Sequence, residues 1–349
     1  MTYPLHVPLL EVTRGDVVES LHFGSIAVVD ATGRLVASVG DADLFMYPRS
    51  SAKPFQTLPL VEMGGVEHFG LTERELALTC ASHSGTDDHV QVAASIQKKI
   101  GVTENQLLCG AHYPYYEPRA REMMRTGEVP TPNRNNCSGK HSGMLAQCQL
   151  RGLPTDDYIN PQHPVQQTIF RTFAEMCDYP VEKLAIGMDG CSAPVFAAPL
   201  RNVALAYARL CDPIGLTDGR AAACRKIVRA MTQHPDMVAG PERFDTLVMQ
   251  RGAGRIVAKA GAEGYQGIGL MPGALGPGSP ALGIAFKIAD GDQGQRARTI
   301  VAIELLRQIG AIGEEDVAAM DFLAARPVRN WRKFAVGQHR PVFELRLNL

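Results

Sequence analysis

The sequence predicts an α+β fold: a mainly antiparallel sheet with flanking helices and a helical lobe. Three observations carry this. Apolar, strand-like runs gather at both ends of the 349-residue chain. Helical periodicity fills the middle. No repeat, low-complexity tract or clear linker divides the two. The end strands most simply join one sheet, with the helical middle as a second layer. The chain exceeds the size at which one core stops growing, which fits a single unit of two lobes. The sheet-bearing lobe is expected at about 1–48 and 250–349, the helical lobe at about 49–249.

The elements follow in order. Ile26–Val29 and Leu35–Val39 flank Asp30-Ala31-Thr32-Gly33, a hairpin turn signal. Pro54 fits only the first turn of a helix, so one begins near Ser51 with Ser50 at its mouth. Thr72–Ala81 reads as a helix capped by Thr72. Asp87–Ile100 sets Val90, Ala93, Ala94 and Ile100 near one face. Pro164–Cys177 and Arg220–Gln233 repeat apolar residues at helical spacing. Leu184–Met188 reads as a short buried segment. Strand character returns at Ile256–Ala260, Gly267–Leu270 and Ala281–Ile288. A Gly- and Pro-rich loop spans Met271–Pro280. A helix is expected at Gln295–Ile309 and a terminal strand at Val342–Leu347.

Composition removes several function classes. Hydrophobic residues are 45%, charged residues 20% and the net charge −1, so no polyanion-binding surface is expected. The longest apolar runs, such as Val203–Ala208, are far short of a membrane span. The N-terminus lacks the basic start and apolar core of a secretory signal, so a cytoplasmic location is expected. Eight cysteines show no paired framework and no Cys-x-x-Cys. Their default is the small buried thiol. Cys137 and Cys191 are the candidates to depart from it.

Chemistry gathers in five places. Ser50 and Lys53 make a Ser-x-x-Lys pair in Tyr-Pro-Arg-Ser-Ser-Ala-Lys-Pro-Phe (47–55). A lysine can deprotonate a serine only if burial or nearby positive charge lowers its pKa. Residues three apart share a helix face, so the amine can reach the hydroxyl. Ser82 sits in Cys-Ala-Ser-His-Ser-Gly (80–85), where a helix ends. Lys259 stands in Ile-Val-Ala-Lys-Ala-Gly (256–261), a strand lysine followed two residues later by glycine. Asn-Arg-Asn-Asn-Cys-Ser-Gly-Lys-His-Ser-Gly (133–143) opens a helix, with Cys137 and Lys140 facing the same way. Cys191 lies in Gly-Met-Asp-Gly-Cys-Ser (187–192). Two thiolates and a neutral amine can hold zinc, with water as fourth ligand.

Together the segments at 49–56, 81–85, 136–143, 188–194 and 259–261 resemble the L-asparaginases of the Rhizobium etli type, the third structural class of asparaginases. The resemblance runs from the first strand to the last. It implies a fold like serine β-lactamases and glutaminases, and a homodimer. It implies two Ser–Lys tandems, Ser50 with Lys53 and Ser82 with Lys259. It also implies a zinc ion near the substrate, bound by Cys137, Lys140 and Cys191 in a supporting role. The expected reaction is hydrolysis of L-asparagine through an acyl-enzyme. Arg49 and His141 would orient the tandem or the substrate, and Asp189 would accept the substrate α-ammonium. A glutaminase or β-lactam-reactive enzyme on the same fold is an alternative, as is a non-catalytic zinc protein. Gly252-x-Gly254 and Gly267-x-Gly269 lack the spacing of a dinucleotide site. Met123-Met124 and Tyr113, Tyr115 and Tyr116 read as packing or dimer surface.

Overall fold

The computed structural model describes residues 5–324 and 327–348. Its strands are β1 (Val7–Arg14), β2 (Val17–Asp30), β3 (Leu35–Val39), β4 (Phe45–Met46), β5 (Ala185–Met188), β6 (Pro194–Pro199), β7 (Ile256–Gly261), β8 (Tyr265–Leu270), β9 (Leu282–Ile288), β10 (Pro327–Arg329) and β11 (Ala335–Pro341). Eight of them form one sheet in the order β10-β11-β1-β2-β9-β8-β7, with β3 beside β2. Every recorded pairing in it is antiparallel, so the expected α+β class is the one observed. The two ends of the chain interleave. β2 pairs along one edge with β1 and β3 and along the other with β9, while β1 takes β11 on its outer edge.

The sheet is covered on both faces at its centre. All of β8 and β9 is buried, as is the continuous run Gly24–Asp30 of β2. Successive strand residues point to opposite faces, so unbroken burial requires a layer on each. Helix Leu200–Cys211 packs on β2, β8 and β9, and helix Arg298–Gln308 on β8 and β11. Helix Lys53–Glu62 lies among Ser138–Arg151, Pro164–Cys177 and Asp218–Gln233. It is buried from Lys53 to Val61 without a break, as a helix enclosed by others must be. Thr72 caps Glu73–Thr79 in a capping box with Glu75, as the sequence predicts. Among the described residues no helix is long and apolar enough to cross a membrane.

Three expectations need correction. Leu184–Met188 is not a buried segment. Ala185–Met188 is an edge strand of a second, three-stranded sheet, β4-β6-β5, and Ile186 and Met188 are exposed. An edge strand has a partner on one side only, which apolar composition does not reveal. The C-terminal pairing strand is Ala335–Pro341, not Val342–Leu347. Phe343 and Leu345 are buried in alternation, but their backbone is bonded by the Gln308 side chain instead of a neighbouring strand. The helix expected from Gln295 starts at Arg298, because Asp292 accepts the N–H groups of Arg296, Ala297 and Arg298 ahead of it.

Candidate active site

The site begins at the turn Arg49–Ala52, a 3-10 helix leading into Lys53–Glu62. Arg49 is left-handed at φ 50°, an uncommon place for a residue with a side chain. Its guanidinium donates to Asp189 Oδ1 from Nε at 2.9 Å and Nη2 at 2.5 Å. Ser51 ties the turn to β7: its Oγ donates to the Lys259 carbonyl at 2.7 Å. Tyr207 Oη donates to the Ser51 carbonyl at 2.6 Å. A Cβ on Gly261 would lie 2.2 Å from the Pro48 oxygen, so only glycine lets the strand come this close. These contacts fix the serine-bearing turn against the strand that carries Lys259.

Ser82 follows helix Glu73–Thr79, its N–H bonded to Val238 O at 3.0 Å. The helix Ser138–Arg151 crosses close by, with Cys137 at its cap. A Cβ on Gly139 would meet the Leu78 oxygen at 2.1 Å. That approach brings Cys137 within reach of the lysine that bonds Ser82. Lys53 Nζ donates to Ala81 O at 2.5 Å, Ser82 Oγ at 2.8 Å and Cys137 Sγ at 3.1 Å. Three acceptors match the three N–H bonds of an ammonium.

Lys53 therefore gives its serine hydrogen bond to Ser82 and not to Ser50, the partner that three-residue spacing suggested. The buried amine is drawn to the side where acceptors stand, and the Ala81 carbonyl and Cys137 sulfur lie there. Lys259 is fully buried on β7. Burial pulls its amine down to about 7, with the charges of Lys53 and Arg243 acting the same way against Asp245. Its own recorded hydrogen bond goes to Ala260 O at 2.9 Å, and none joins it to Ser82.

Cys137, Lys140 and Cys191 converge. Lys140 Nζ stands 2.9 Å from Cys191 Sγ. Contact with Cys137, and then the Lys140 charge, pulls Cys191 far below the usual thiol range. Contact with Cys191, reinforced by burial, pushes Cys137 well above it. His141 is buried; Tyr158 Oη lies 2.7 Å from its Nδ1, and its ring also contacts Cys191. Burial lowers its pKa to about 4. Among the described residues no group of three His, Cys, Asp or Glu side chains is placed to hold a metal. The expected set differs in kind, being two sulfurs and an amine. By donor chemistry the set fits a thiophilic ion such as zinc.

A cavity of about 290 Å³ opens in front of Ser50 and Ser82. Tyr115, Asn136, Arg243, Glu263 and Arg298 share its wall. The sequence reading missed Arg243, Arg298 and Ser51, and it took Tyr115 for packing. Ser51 stands inside the first motif, where the second serine was the available signal. The arginines lie outside every motif. Asp189 Oδ1 is already occupied by Arg49 and by Gly190 N–H at 2.7 Å, while Oδ2 has no recorded hydrogen bond among the described residues.

Two serines on one amino-acid-sized cavity, one of them bonded to a buried lysine, are equipment for acyl transfer. The chain is an amidohydrolase. It belongs to the L-asparaginase II family, whose model matches residues 10–341; this is the family of the Rhizobium etli-type enzymes that its motifs resemble. Among solved structures it is similar to a Bacillus glutaminase at 12% identity and TM-score 0.38, over 82% of this chain and 90% of that one. A covalent complex of Bacillus subtilis glutaminase YbgJ with 5-oxo-L-norleucine shares 12% identity at TM-score 0.33, over 76% and 79%. A β-lactamase from Burkholderia ambifaria shares 15% at TM-score 0.36, over 87% and 95%. No curated protein matches.

Proposed function

We propose that this amidohydrolase converts L-asparagine and water to L-aspartate and ammonia. The observation that carries the reading is the buried Lys53 amine, bonded to Ser82 Oγ at 2.8 Å where Ser82 shares a cavity with Ser50. The cavity supports a small substrate, since about 290 Å³ is at the lower end for ligand pockets. Ser50 attacks the side-chain amide carbonyl and passes its proton to the lysine pair, in which neutral Lys259 is the acceptor. Ser82, hydrogen-bonded to Lys53, hands its hydroxyl proton to the leaving nitrogen and regains one from the lysine pair, which returns Lys259 to its neutral form. Ammonia departs, and water cleaves the Ser50 ester to release L-aspartate and restore the hydroxyl. Asp189 Oδ2 takes the substrate ammonium, with Arg49 holding the carboxylate in place.

Cys137, Lys140 and Cys191 would hold zinc, and His141 would stand behind them. Zinc, when bound, supplies a fixed positive charge that holds the site and orients the substrate. A homodimer in the cytoplasm belongs to the same proposal. Exposed Phe45, Ile186 and Met188 on the small sheet are apolar surface that a second copy would cover.

Ammonia release from L-asparagine and L-glutamine by the purified protein is the test. One methylene changes binding by about 1–3 kcal/mol, so asparagine should lead by roughly 10-fold or more. Equal or faster release from glutamine would make the enzyme a glutaminase. No release from either would remove the amidase reading.

A further inference from the structure

We propose that Arg243 and Arg298 form a carboxylate-binding subsite in the cavity that Ser50 and Ser82 share, holding the α-carboxylate of the amino-acid amide. The inference rests on the amidase reading of this cavity.

Both arginines line the cavity with Ser50 and Ser82. Arg298 gives Nη1 to Gln266 Oε1 and makes no other recorded side-chain bond, so most of its five donors are unspent. The Arg243 side chain has no recorded hydrogen bond or ion pair among the described residues. The two guanidinium groups feel each other: burial disfavours the Arg298 charge and Arg243 adds to that pressure, while Asp245 and Asp292 act against it. Two guanidinium groups on one cavity wall favour an anion between them.

The acids nearby are committed elsewhere. Asp245 takes Ala260 N–H at 2.6 Å and the Gln266 amide at 3.0 Å. Asp292 takes three backbone N–H groups, from Arg296 at 2.8 Å, Ala297 at 2.9 Å and Arg298 at 2.8 Å. Glu263, also in the wall, makes no recorded ion pair with either arginine, and its charge acts on Arg49 and Lys287. No protein carboxylate is therefore paired with the two guanidinium groups. Planar guanidinium groups bind carboxylates through paired N–H donors, and a ligand carboxylate supplies the missing acceptors. A substrate held there by its carboxylate can present its amide to Ser50 and Ser82, which line the same cavity.

The test uses Arg243→Gln, Arg298→Gln and the wild type. The substrates are L-asparagine and 3-aminopropanamide, which keeps the amide and the amine and lacks the carboxylate. In the wild type, loss of the carboxylate should lower kcat/KM by about 100-fold or more. Each variant should raise KM for L-asparagine by about 10-fold or more with a smaller change in kcat, since the contact serves ground state and transition state alike. Each variant should also discriminate between the two substrates far less than the wild type does, the mark of a direct contact. Calorimetric binding of L-aspartate reads the subsite without turnover. Arginine-dependent binding in a protein that hydrolyses neither asparagine nor glutamine would keep the subsite and remove the amidase. Binding and discrimination equal in all three proteins, or no binding of L-aspartate by the wild type, would overturn the subsite. Arg243→Gln breaks no recorded bond, so it reports even if Arg298→Gln fails to fold.

Discussion

On the proposed mechanism Lys259 sets the pH behaviour of the enzyme. As the proton acceptor its amine must be neutral, and burial brings it to about 7. The neutral fraction grows as pH rises through that value, so kcat/KM should rise through about pH 7 and then level off. A pH–rate profile checks this, and a flat profile between pH 6 and about 8 would remove Lys259 as the base. The same shift bears on stability. Between about 7 and the ordinary lysine value the unfolded chain binds the proton and the folded chain does not, so the cost of burial is relieved as pH rises. Lys259→Met should lose turnover and yet unfold at a higher denaturant concentration than the wild type at neutral pH. Ser51 acts by position. Ser51→Ala removes the tie to the Lys259 carbonyl, and about 1 kcal/mol of stability and about 10-fold in kcat/KM should go with it. Unchanged kinetics would show that the turn holds its place without that bond. The residue types of the site were legible in the sequence, because Ser, Lys and Cys stand in compact motifs. Their pairing was not. Spacing along a helix places Lys53 near Ser50, but a buried amine goes where its acceptors are, and those come from residues 81, 82 and 137.

Helix termini assemble the site. Ser50 precedes one helix, Ser82 follows another, Cys137 caps a third and Arg298 opens a fourth. The element most exposed to disturbance is Ser138–Arg151, because its first turn rests on the end of Glu73–Thr79. Gly139→Ala puts a methyl group on the Leu78 carbonyl, and overpacking of this kind costs about 1–3 kcal/mol. The denaturation midpoint should fall accordingly. Activity should fall further than folding does, since the displaced helix carries Cys137 and Lys140. Activity kept in proportion to the folded fraction would mean that the helix shifts without moving the site. Periodicity found the long helices and the strands of the main sheet, because enclosed elements show continuous or regular apolar patterns. It failed at Ala185–Met188 and at the C-terminus. There the structure is decided by which edge is free and which side chain supplies a hydrogen bond, and neither leaves a periodic trace.

At the scale of the molecule, the proposed zinc donors come from separate units. Cys137 caps helix Ser138–Arg151, Lys140 lies in its first turn, and Cys191 belongs to the turn between β5 and β6. An ion held by all three would cross-link the two units. It would stabilise the fold by mass action, by about 2.7 kcal/mol at 100 times its Kd. Zinc content, thermal midpoint and KM should therefore move together. Chelator, acid, Cys137→Ala and Cys191→Ala should each lower the midpoint and raise KM more than they lower kcat. Full zinc content in both cysteine variants would refute the donor set. The interleaved ends of the main sheet have a consequence during synthesis. β2 is complete at Asp30, but the strand that covers its open edge begins at Leu282, and the partner of β1 is made later still. At ~5–20 residues per second the ribosome takes about 12–50 s to make the intervening chain. For that time two apolar strand edges have no native neighbour, and the nascent chain depends on whatever shields them.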